Sequence, residues 1–277
     1  KAYSSILDIP GPVVYVICAI RAALTPQLMK ECVTKRVRVV HLFTSGFSES
    51  EDEGGICLEK EITKIASQGN LRIIGPNCLG IYCPSSKISF DALFPQEGGN
   101  FYRLNQSPGN SAEGVDLGKV RGIRFSKVIS FGNASDLNEA DFMEYLAHDP
   151  QTEIIAAYIE GAKDGRRFIN ALREAVKAKP VIIIKGGASE AGTKAVASHT
   201  GALAGSHPIW DSLFRQLGVV QAYDLEELID LILLFQHLKP FRGRKAGVIG
   251  SGGGSSVLVS DICEREGLNI PSFSQEM

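Results

Sequence analysis

The sequence has no excess of charge of either sign and no long apolar run. Its 277 residues include 29 lysines and arginines against 31 aspartates and glutamates, for a formal net charge of -2 at pH 7. This balance gives no reason to expect nucleic acid or a membrane surface as a partner. Apolar runs such as Val13–Ile20 and Val181–Ile184 are strand-sized and too short to span a bilayer. The N-terminal residues do not resemble a signal peptide, so we expect none.

The six cysteines form no C-x-x-C pair. They are scattered along the chain, a pattern typical of reduced, mostly buried thiols in a cytosolic protein, and we therefore expect a cytoplasmic location. Cys78 and Cys83 are the closest pair, but no nearby histidine completes a zinc set, so we expect no metal site.

Two nucleotide-binding motifs are also missing. The glycine-rich stretch Gly250–Ser256 and the turn Asn105–Asn110 match neither a Walker A loop nor a G-x-G-x-x-G fingerprint. We therefore expect neither a self-contained nucleotide hydrolase nor a typical dinucleotide-dependent oxidoreductase. The chain begins without methionine and stops after one strand-and-helix unit, so we expect a fragment of a longer protein.

Strand and helix patterns alternate along the whole chain, which predicts an α/β protein with mainly parallel sheets. A polar stretch at Phe94–Asn100 predicts a linker between two alternating series. Near the end, Ala246–Gly250 predicts a strand that leads into the glycine-rich turn and a helix.

His199 lies in a run of small residues, Ala197–Gly205, that predicts a loop. Small neighbours leave the imidazole unshielded, and glycines allow the backbone to move it. Imidazole is nucleophilic at neutral pH and can hold a phosphoryl group covalently. The alternative is a surface histidine without a function.

Three predicted strand ends could support such chemistry, because ligands collect at the carboxyl ends of parallel strands. Glu160 ends a hydrophobic strand and could fix a histidine tautomer. Ser107 is placed as a helix N-cap, and Gly253–Ser255 lie in a turn whose N–H groups could hold a phosphate. Each of these turns could equally be an ordinary strand-to-helix connection.

Taken together, these segments resemble the NDP-forming acyl-CoA synthetases, in particular the α-subunit part of ADP-forming acetyl-CoA synthetase, with the succinyl-CoA synthetase α subunit as a more distant relative. The resemblance spans almost the whole chain in the family's order. The matching segments are Gly75–Gly80, Gly132-Asn133 with Asp136 and Glu139, Tyr158–Gly161 with Asp164–Arg166, Lys179-Pro180, Lys185–Gly187, Ser198–Gly201, and Gly252–Gly254 with Asp261.

The resemblance implies a role for each candidate residue. His199 would be the phosphorylated histidine and Glu160 the carboxylate that orients it. Two helix N-termini would hold the phosphoryl group, and coenzyme A would lie near four residues of the first segment. The implied phosphate-binding residues are Ser107, Gly109, Gly253, Gly254 and Ser255; the implied CoA-binding residues are Thr44, Ser45, Asn77 and Cys78. Pro108 stands where the family usually has glycine and removes one N–H.

The resemblance also implies a domain order and a reaction. Residues 1–97 would form an N-terminally incomplete Rossmann-like CoA-binding domain, 98–205 a flavodoxin-like domain with the histidine segment, and 206–277 an incomplete second flavodoxin-like domain. The implied reaction converts acyl-CoA, ADP and phosphate into acid, CoA and ATP, reversibly, through acyl phosphate and phosphohistidine. ADP or ATP with magnesium would bind to an ATP-grasp domain or β subunit, and we expect an oligomer. The alternative function is a non-catalytic, CoA-responsive regulatory module of an acyltransferase-type protein.

Overall fold

The computed structural model describes residues 1–200, 207–238, 243–250 and 252–272, without the side chains of residues 195 and 197–200. The chain divides into two compact units, Lys1–Phe235 and Gln236–Met277. Within the described residues, no helix is long and apolar enough to cross a membrane.

Strands and helices alternate as the sequence pattern predicts. The strands are β1 (Tyr15–Cys18), β2 (Val39–Leu42), β3 (Arg72–Ile74), β4 (Gly80–Tyr82), β5 (Phe101–Asn105), β6 (Phe125–Ser130), β7 (Ile154–Ile159), β8 (Val181–Lys185) and β9 (Val220–Ala222). The α-helices are α1 (Thr25–Lys35), α2 (Glu53–Gln68), α3 (Pro108–Val120), α4 (Glu139–His148), α5 (Gly165–Ala178), α6 (Glu190–Thr200), α7 (His207–Leu217), α8 (Leu225–His237) and α9 (Gly253–Arg265).

The first part of the chain forms a three-stranded parallel sheet in the order β1-β2-β3. Its strands are short and rich in β-branched residues, which suit a pleated, buried surface. Helices α1 and α2 pack together, and their apolar residues share one core with the strands, including Met29, Val40 and Ile62. This arrangement is a small Rossmann-like unit.

The second sheet has six strands in the order β4-β6-β5-β7-β8-β9. Strands β5 to β9 run parallel, and β4 is antiparallel to β6. Because β4 directly follows β3 along the chain, the segment that completes the first sheet also supplies the edge strand of the second. The two sheets are therefore joined by the chain within a few residues.

Both faces of the six-stranded sheet are covered by helices. Side chains of α4, α5 and α7 share a core with one face, and those of α3 and α8 share a core with the other. Burial on both faces explains why β7 and β8 are almost continuously apolar. The predicted fold class, a Rossmann-like domain followed by flavodoxin-like parallel α/β structure, is confirmed.

Two local predictions are wrong. The segment Ala246–Gly250 is not a strand, because the neighbouring pairing is limited to one isolated bridge between Lys245 and Asn269. The predicted loop at 197–205 begins inside α6, which continues to Thr200; residues 201–206 lie outside the described residues. The domain boundaries at 97 and 205 stay predictions. Strand β9 lies beyond residue 205 but pairs with β8, so the six-stranded sheet extends past the second of these positions.

Candidate functional site

A cavity of about 540 Å³ lies beyond the carboxyl ends of the first sheet's strands. In parallel α/β sheets this edge is where ligands bind. The start of α3 also borders the cavity, through Pro108. The lining residues are Ala19, Ile20, Arg21, Ala22, Phe43, Thr44, Ser45, Asn77, Cys78 and Pro108. The structure thus brings all four predicted CoA-binding residues to one cavity.

These four residues differ in what their side chains can offer a ligand. The Thr44 hydroxyl donates to the Ile20 carbonyl across 2.7 Å, and the buried Cys78 thiol faces the Leu42 carbonyl at 3.7 Å. Burial raises the pKa of Cys78 to about 12, so its thiol stays protonated at neutral pH. Within the described residues, the side chains of Ser45 and Asn77 have no hydrogen-bond partner and are the polar groups free for a ligand.

The turn that carries Asn77 is held against both sheets. The Asn77 N–H donates to the Thr44 carbonyl across 3.0 Å, and the Asn133 N–H donates to the Pro76 carbonyl across 3.0 Å. Gly132 lies so close to this turn that a Cβ there would approach the Pro76 oxygen to 2.1 Å. Glycine at 132 therefore permits the approach of the second sheet to the cavity wall.

Helix α3 begins at the predicted N-cap. Ser107 Oγ accepts from the Asn110 N–H at 3.5 Å, and Asn105 Oδ1 accepts from the Ser107 N–H at 2.9 Å. Pro108 has no N–H, so Gly109 provides the first helical N–H. A Cβ on Gly109 would meet no atom within 4 Å, so its surroundings are open. The helix start can therefore present an N–H and the positive end of its dipole to an anion.

Glu160 lies at the end of β7 and is buried, with 3% of its surface exposed. Its Oε1 accepts from the Tyr158 hydroxyl at 3.1 Å, while its Oε2 has no partner among the described residues. Burial and the nearby Glu160 carboxylate raise the pKa of Tyr158, which keeps the hydroxyl protonated and donating. An unpartnered carboxylate oxygen in a buried place is costly unless a donor reaches it.

Gln106 connects this carboxylate with the start of α3. Gln106 Oε1 accepts from the Glu160 N–H at 2.8 Å and from the Gly161 N–H at 3.4 Å. Because Gln106 directly precedes the N-cap Ser107, the end of β7 lies beside the helix start. The sequence predicts roles for Glu160 and Ser107 but not for Gln106, although its place directly before the predicted N-cap is a signal.

Two further residues at this edge were also missed. Gly186 follows β8, and a Cβ there would come within 2.6 Å of the Tyr158 hydroxyl oxygen and 3.2 Å of Glu160 Cγ. Lys185, the last residue of β8, donates from Nζ to the Glu160 carbonyl at 2.8 Å. Both belong to the Lys185–Gly187 segment that carried the resemblance, without an assigned role.

His199 lies in the last turn of α6, and its side chain is outside the described residues. Its pairing with Glu160 therefore stays a prediction. Helix α6 follows β8, begins after Ser189, whose Oγ accepts from the Gly192 N–H at 3.0 Å, and packs beside the short 3-10 turn Ser48–Ser50. The histidine is thus carried by a helix that starts at the same sheet edge as Glu160.

The remaining predicted phosphate-binding residues, Gly253, Gly254 and Ser255, form the first turn of α9 in the second unit, after the N-cap Gly252. Among the described residues, no side chain caps that helix, and no capping oxygen of theirs occupies its first N–H groups. In the described part of the chain, no group of three or more His, Cys, Asp or Glu residues could hold a metal ion.

The fold defines an α/β protein with a Rossmann-like unit followed by a flavodoxin-like sheet. A family model described as "CoA binding domain" matches residues 1–84, and one described as "Succinyl-CoA ligase like flavodoxin domain" matches residues 99–235. The chain belongs to the NDP-forming acyl-CoA synthetase family, as its sequence resemblance implied.

Individual relatives agree with this assignment. The chain is 39% identical to the α subunit of acetate–CoA ligase [ADP-forming] II of Pyrococcus furiosus, over 100% of this chain and 60% of the relative. It is 38% identical to acetate–CoA ligase [ADP-forming] I of Archaeoglobus fulgidus, over 99% of this chain and 40% of the relative.

A solved structure has the same fold. Acetyl-coenzyme A synthetase 1 of Ca. Korarchaeum cryptofilum, in complex with phosphate and ADP, superposes with a TM-score of 0.87 at 29% identity, over 99% of this chain and 59% of that one. The chain therefore spans between about two fifths and three fifths of the length of these proteins.

Proposed function

We propose that this chain is the part of an ADP-forming acyl-CoA synthetase that binds CoA and carries a phosphoryl group on His199. The observation that carries the proposal is the Gln106 contact, which sets buried Glu160 beside the start of α3. A carboxylate and a positive helix end at one sheet edge are suited to a histidine that alternates between a free and a phosphorylated state. The regulatory alternative is not favoured, because the relatives are named as ligases.

The phosphoryl chemistry follows from the free oxygen of Glu160. When Glu160 Oε2 accepts an N–H from the His199 imidazole, the other ring nitrogen keeps its lone pair and becomes the nucleophile. The start of α3, with Ser107 and Gly109, offers a positive dipole end to the dianionic phosphoryl group. In the second unit, Gly253, Gly254 and Ser255 would supply the other helix end.

The cavity of the first sheet fits part of a CoA molecule. Ser45 and Asn77 would donate hydrogen bonds, while Thr44 and Cys78 fix the strand ends that shape the cavity. A cavity of about 540 Å³ is within the size range of small-molecule sites. Bound CoA would supply the thiol to which the acyl group is attached.

The complete reaction needs a nucleotide site that we assign to a partner. We propose reversible conversion of acyl-CoA, ADP and phosphate into acid, CoA and ATP, with magnesium and the nucleotide bound by an ATP-grasp domain or β subunit in an oligomeric enzyme. Relatives named "subunit alpha" support this division. A cytoplasmic location fits the thiols, since all six cysteines lie in the described part and are free.

Labelling of the complete enzyme tests the proposal. With γ-labelled ATP and magnesium, the chain should acquire an acid-labile label that is absent in His199→Ala and retained in the control His148→Ala, which changes an exposed histidine at the end of α4. The Glu160→Gln variant should lower labelling on the order of 10- to 100-fold. Label that persists in His199→Ala would refute the phosphoryl carrier.

A further inference from the structure

Lys185 is a buried ammonium group at the candidate site that the phosphoryl chemistry does not use. Only 6% of the residue is exposed, and Nζ donates to the main-chain carbonyls of Glu160, at 2.8 Å, and Gly186. The same Nζ lies 5.3 Å from the ring centroid of Trp210 on α7, within the range of a cation–π contact. Burying a charge costs free energy, and an apolar residue would fill this place at a lower cost. A lysine here therefore indicates that the ammonium group has a function.

Lys185 and Gln106 together hold the main chain of one turn, Glu160–Gly161. Gln106 holds the N–H side of the Glu160–Gly161 turn, and Lys185 holds the carbonyl side of Glu160. Because the N–H and the carbonyl of Glu160 are both held, its carboxylate can adopt few orientations. Gly186, which Lys185 also contacts, is the residue that leaves room for Tyr158 and the Glu160 side chain.

We propose that Lys185 is a positioning residue that aims the Glu160 carboxylate at the phosphoryl-carrying histidine. Lys185 acts through the main chain of Glu160 and Gly186 and does not touch the reacting atoms. Its contact with Trp210 extends the restraint to α7, which begins at His207, shortly after the segment that carries His199. This role rests on the proposed function, because it requires that Glu160 serves His199.

The chain contains a matched control. Lys179 precedes β8 at the opposite edge of the sheet, and its Nζ also donates to two main-chain carbonyls, those of Leu146 at 2.6 Å and Asp149 at 2.5 Å. Lys179 and Lys185 therefore make the same kind of contact, but only Lys185 makes it next to Glu160. A merely structural role predicts similar consequences when either lysine is replaced.

The test compares Lys185→Met, Lys185→Arg and Lys179→Met in the complete enzyme. We expect Lys185→Met to lower kcat and the rate of histidine labelling on the order of 10- to 100-fold. The KM for CoA should stay unchanged, because Lys185 does not line the cavity proposed for CoA. Lys185→Arg keeps a charged donor and should recover most of the rate. Lys179→Met should keep the wild-type kcat, and thermal unfolding is recorded for each variant.

The outcomes separate this role from the proposed function. Wild-type rates in folded Lys185→Met, or equal losses of kcat in Lys185→Met and Lys179→Met, would overturn the positioning role alone. If Lys185→Met does not fold, a folded Lys185→Arg variant with a wild-type pH profile and labelling rate supports the role, and one that loses labelling contradicts it. Absence of any histidine label in the wild-type enzyme would reject the proposed function together with this inference.

Discussion

Arg103 is an unusual residue because its charge is buried inside the second sheet. It lies in the middle of β5 with 1% of its surface exposed, and none of its three guanidinium nitrogens has a partner among the described residues. Helix α3 makes room for it at Gly114, where a Cβ would overlap the guanidinium. Burial lowers the pKa of Arg103 to about 10, and the Glu113 carboxylate only partly opposes this.

Replacement of Arg103 by methionine should therefore stabilise the protein. Since one pKa unit corresponds to roughly 1.4 kcal/mol, the ionised guanidinium costs on the order of 3 kcal/mol at pH 7. Methionine keeps an unbranched shape and removes the charge. We expect Arg103→Met to raise the free energy of unfolding by about 2–4 kcal/mol in urea titrations, in the range seen when buried charges are replaced.

The pH dependence gives the control for this prediction. A basic group with a lowered folded-state pKa opposes folding fully below that pKa, and the penalty declines as pH rises from about 10 towards the unfolded value. The difference in unfolding free energy between Arg103→Met and wild type should stay constant from pH 7 to 9 and become smaller above pH 10. The exposed Arg173→Met on α5 should stay within about 0.5 kcal/mol of wild type. A less stable Arg103→Met would show that the buried guanidinium stabilises the fold.

At the scale of elements, the start of α3 and the end of β7 act as one unit through Gln106. Its single Oε1 satisfies two N–H groups, those of Glu160 and Gly161. In Gln106→Leu both buried donors lose their partner, at about 1–3 kcal/mol for each unsatisfied group. We expect a lower melting temperature and a slower histidine labelling rate in the complete enzyme.

Gln106→Glu provides the comparison for that variant. Glutamate has nearly the same shape and keeps an acceptor oxygen for both N–H groups, so it should be more stable than Gln106→Leu. It also places a second carboxylate near Glu160, and like charges disfavour ionisation of both. Labelling should then recover with rising pH in Gln106→Glu but not in Gln106→Leu. Equal stability of the two variants would show that the N–H contacts contribute little.

The observed strands and helices show which parts of the fold can be predicted from sequence patterns. Strand β7 is a continuous apolar run, and helix α5 carries its buried residues Phe168, Ala171, Leu172 and Ala175 at helical spacing, so the sequence pattern indicates both elements. The three-residue strands β4 and β9 are too short to have a period, and their pairing with β6 and β8 is decided by distant residues. Residues 197–200, the end of helix α6, were predicted as part of a loop because of their small residues, although alanine is the best helix former.

At the site, the sequence predicted residue types better than contacts. Glu160 and Ser107 could be identified because each ends or begins a recognisable element. Their connection through Gln106 joins residues 54 positions apart, and Lys185 reaches Glu160 across 25 positions. Contacts of this kind depend on the order of the strands in the sheet, and that order cannot be read from a single sequence. The separate roles of Thr44 and Asn77 could not be predicted for the same reason.

At the scale of the unit Lys1–Phe235, a buried amide ties the two sheets together. Asn133 follows β6, and its Nδ2 donates to Glu49 Oε2 at 2.5 Å and to Glu59 Oε2 at 3.0 Å. Glu49 also accepts from the Gly46 N–H at 2.6 Å, so the same carboxylate shapes the segment that follows the cavity residues Thr44 and Ser45. The amide thus links the flavodoxin-like sheet to the wall of the proposed CoA cavity.

Removing this amide should weaken both the unit and its proposed CoA site. Asn133→Ala deprives two carboxylates of a shared donor, and we expect a loss of about 1–3 kcal/mol in unfolding free energy with weaker CoA binding by calorimetry. Asn133→Asp places a third carboxylate beside the other two and should be less stable still, because like charges repel. The exposed Asn170→Ala should match wild type in both measurements. If Asn133→Asp is as stable as Asn133→Ala, Glu49 and Glu59 do not face this position as charged groups, and the tie between the sheets depends on packing instead.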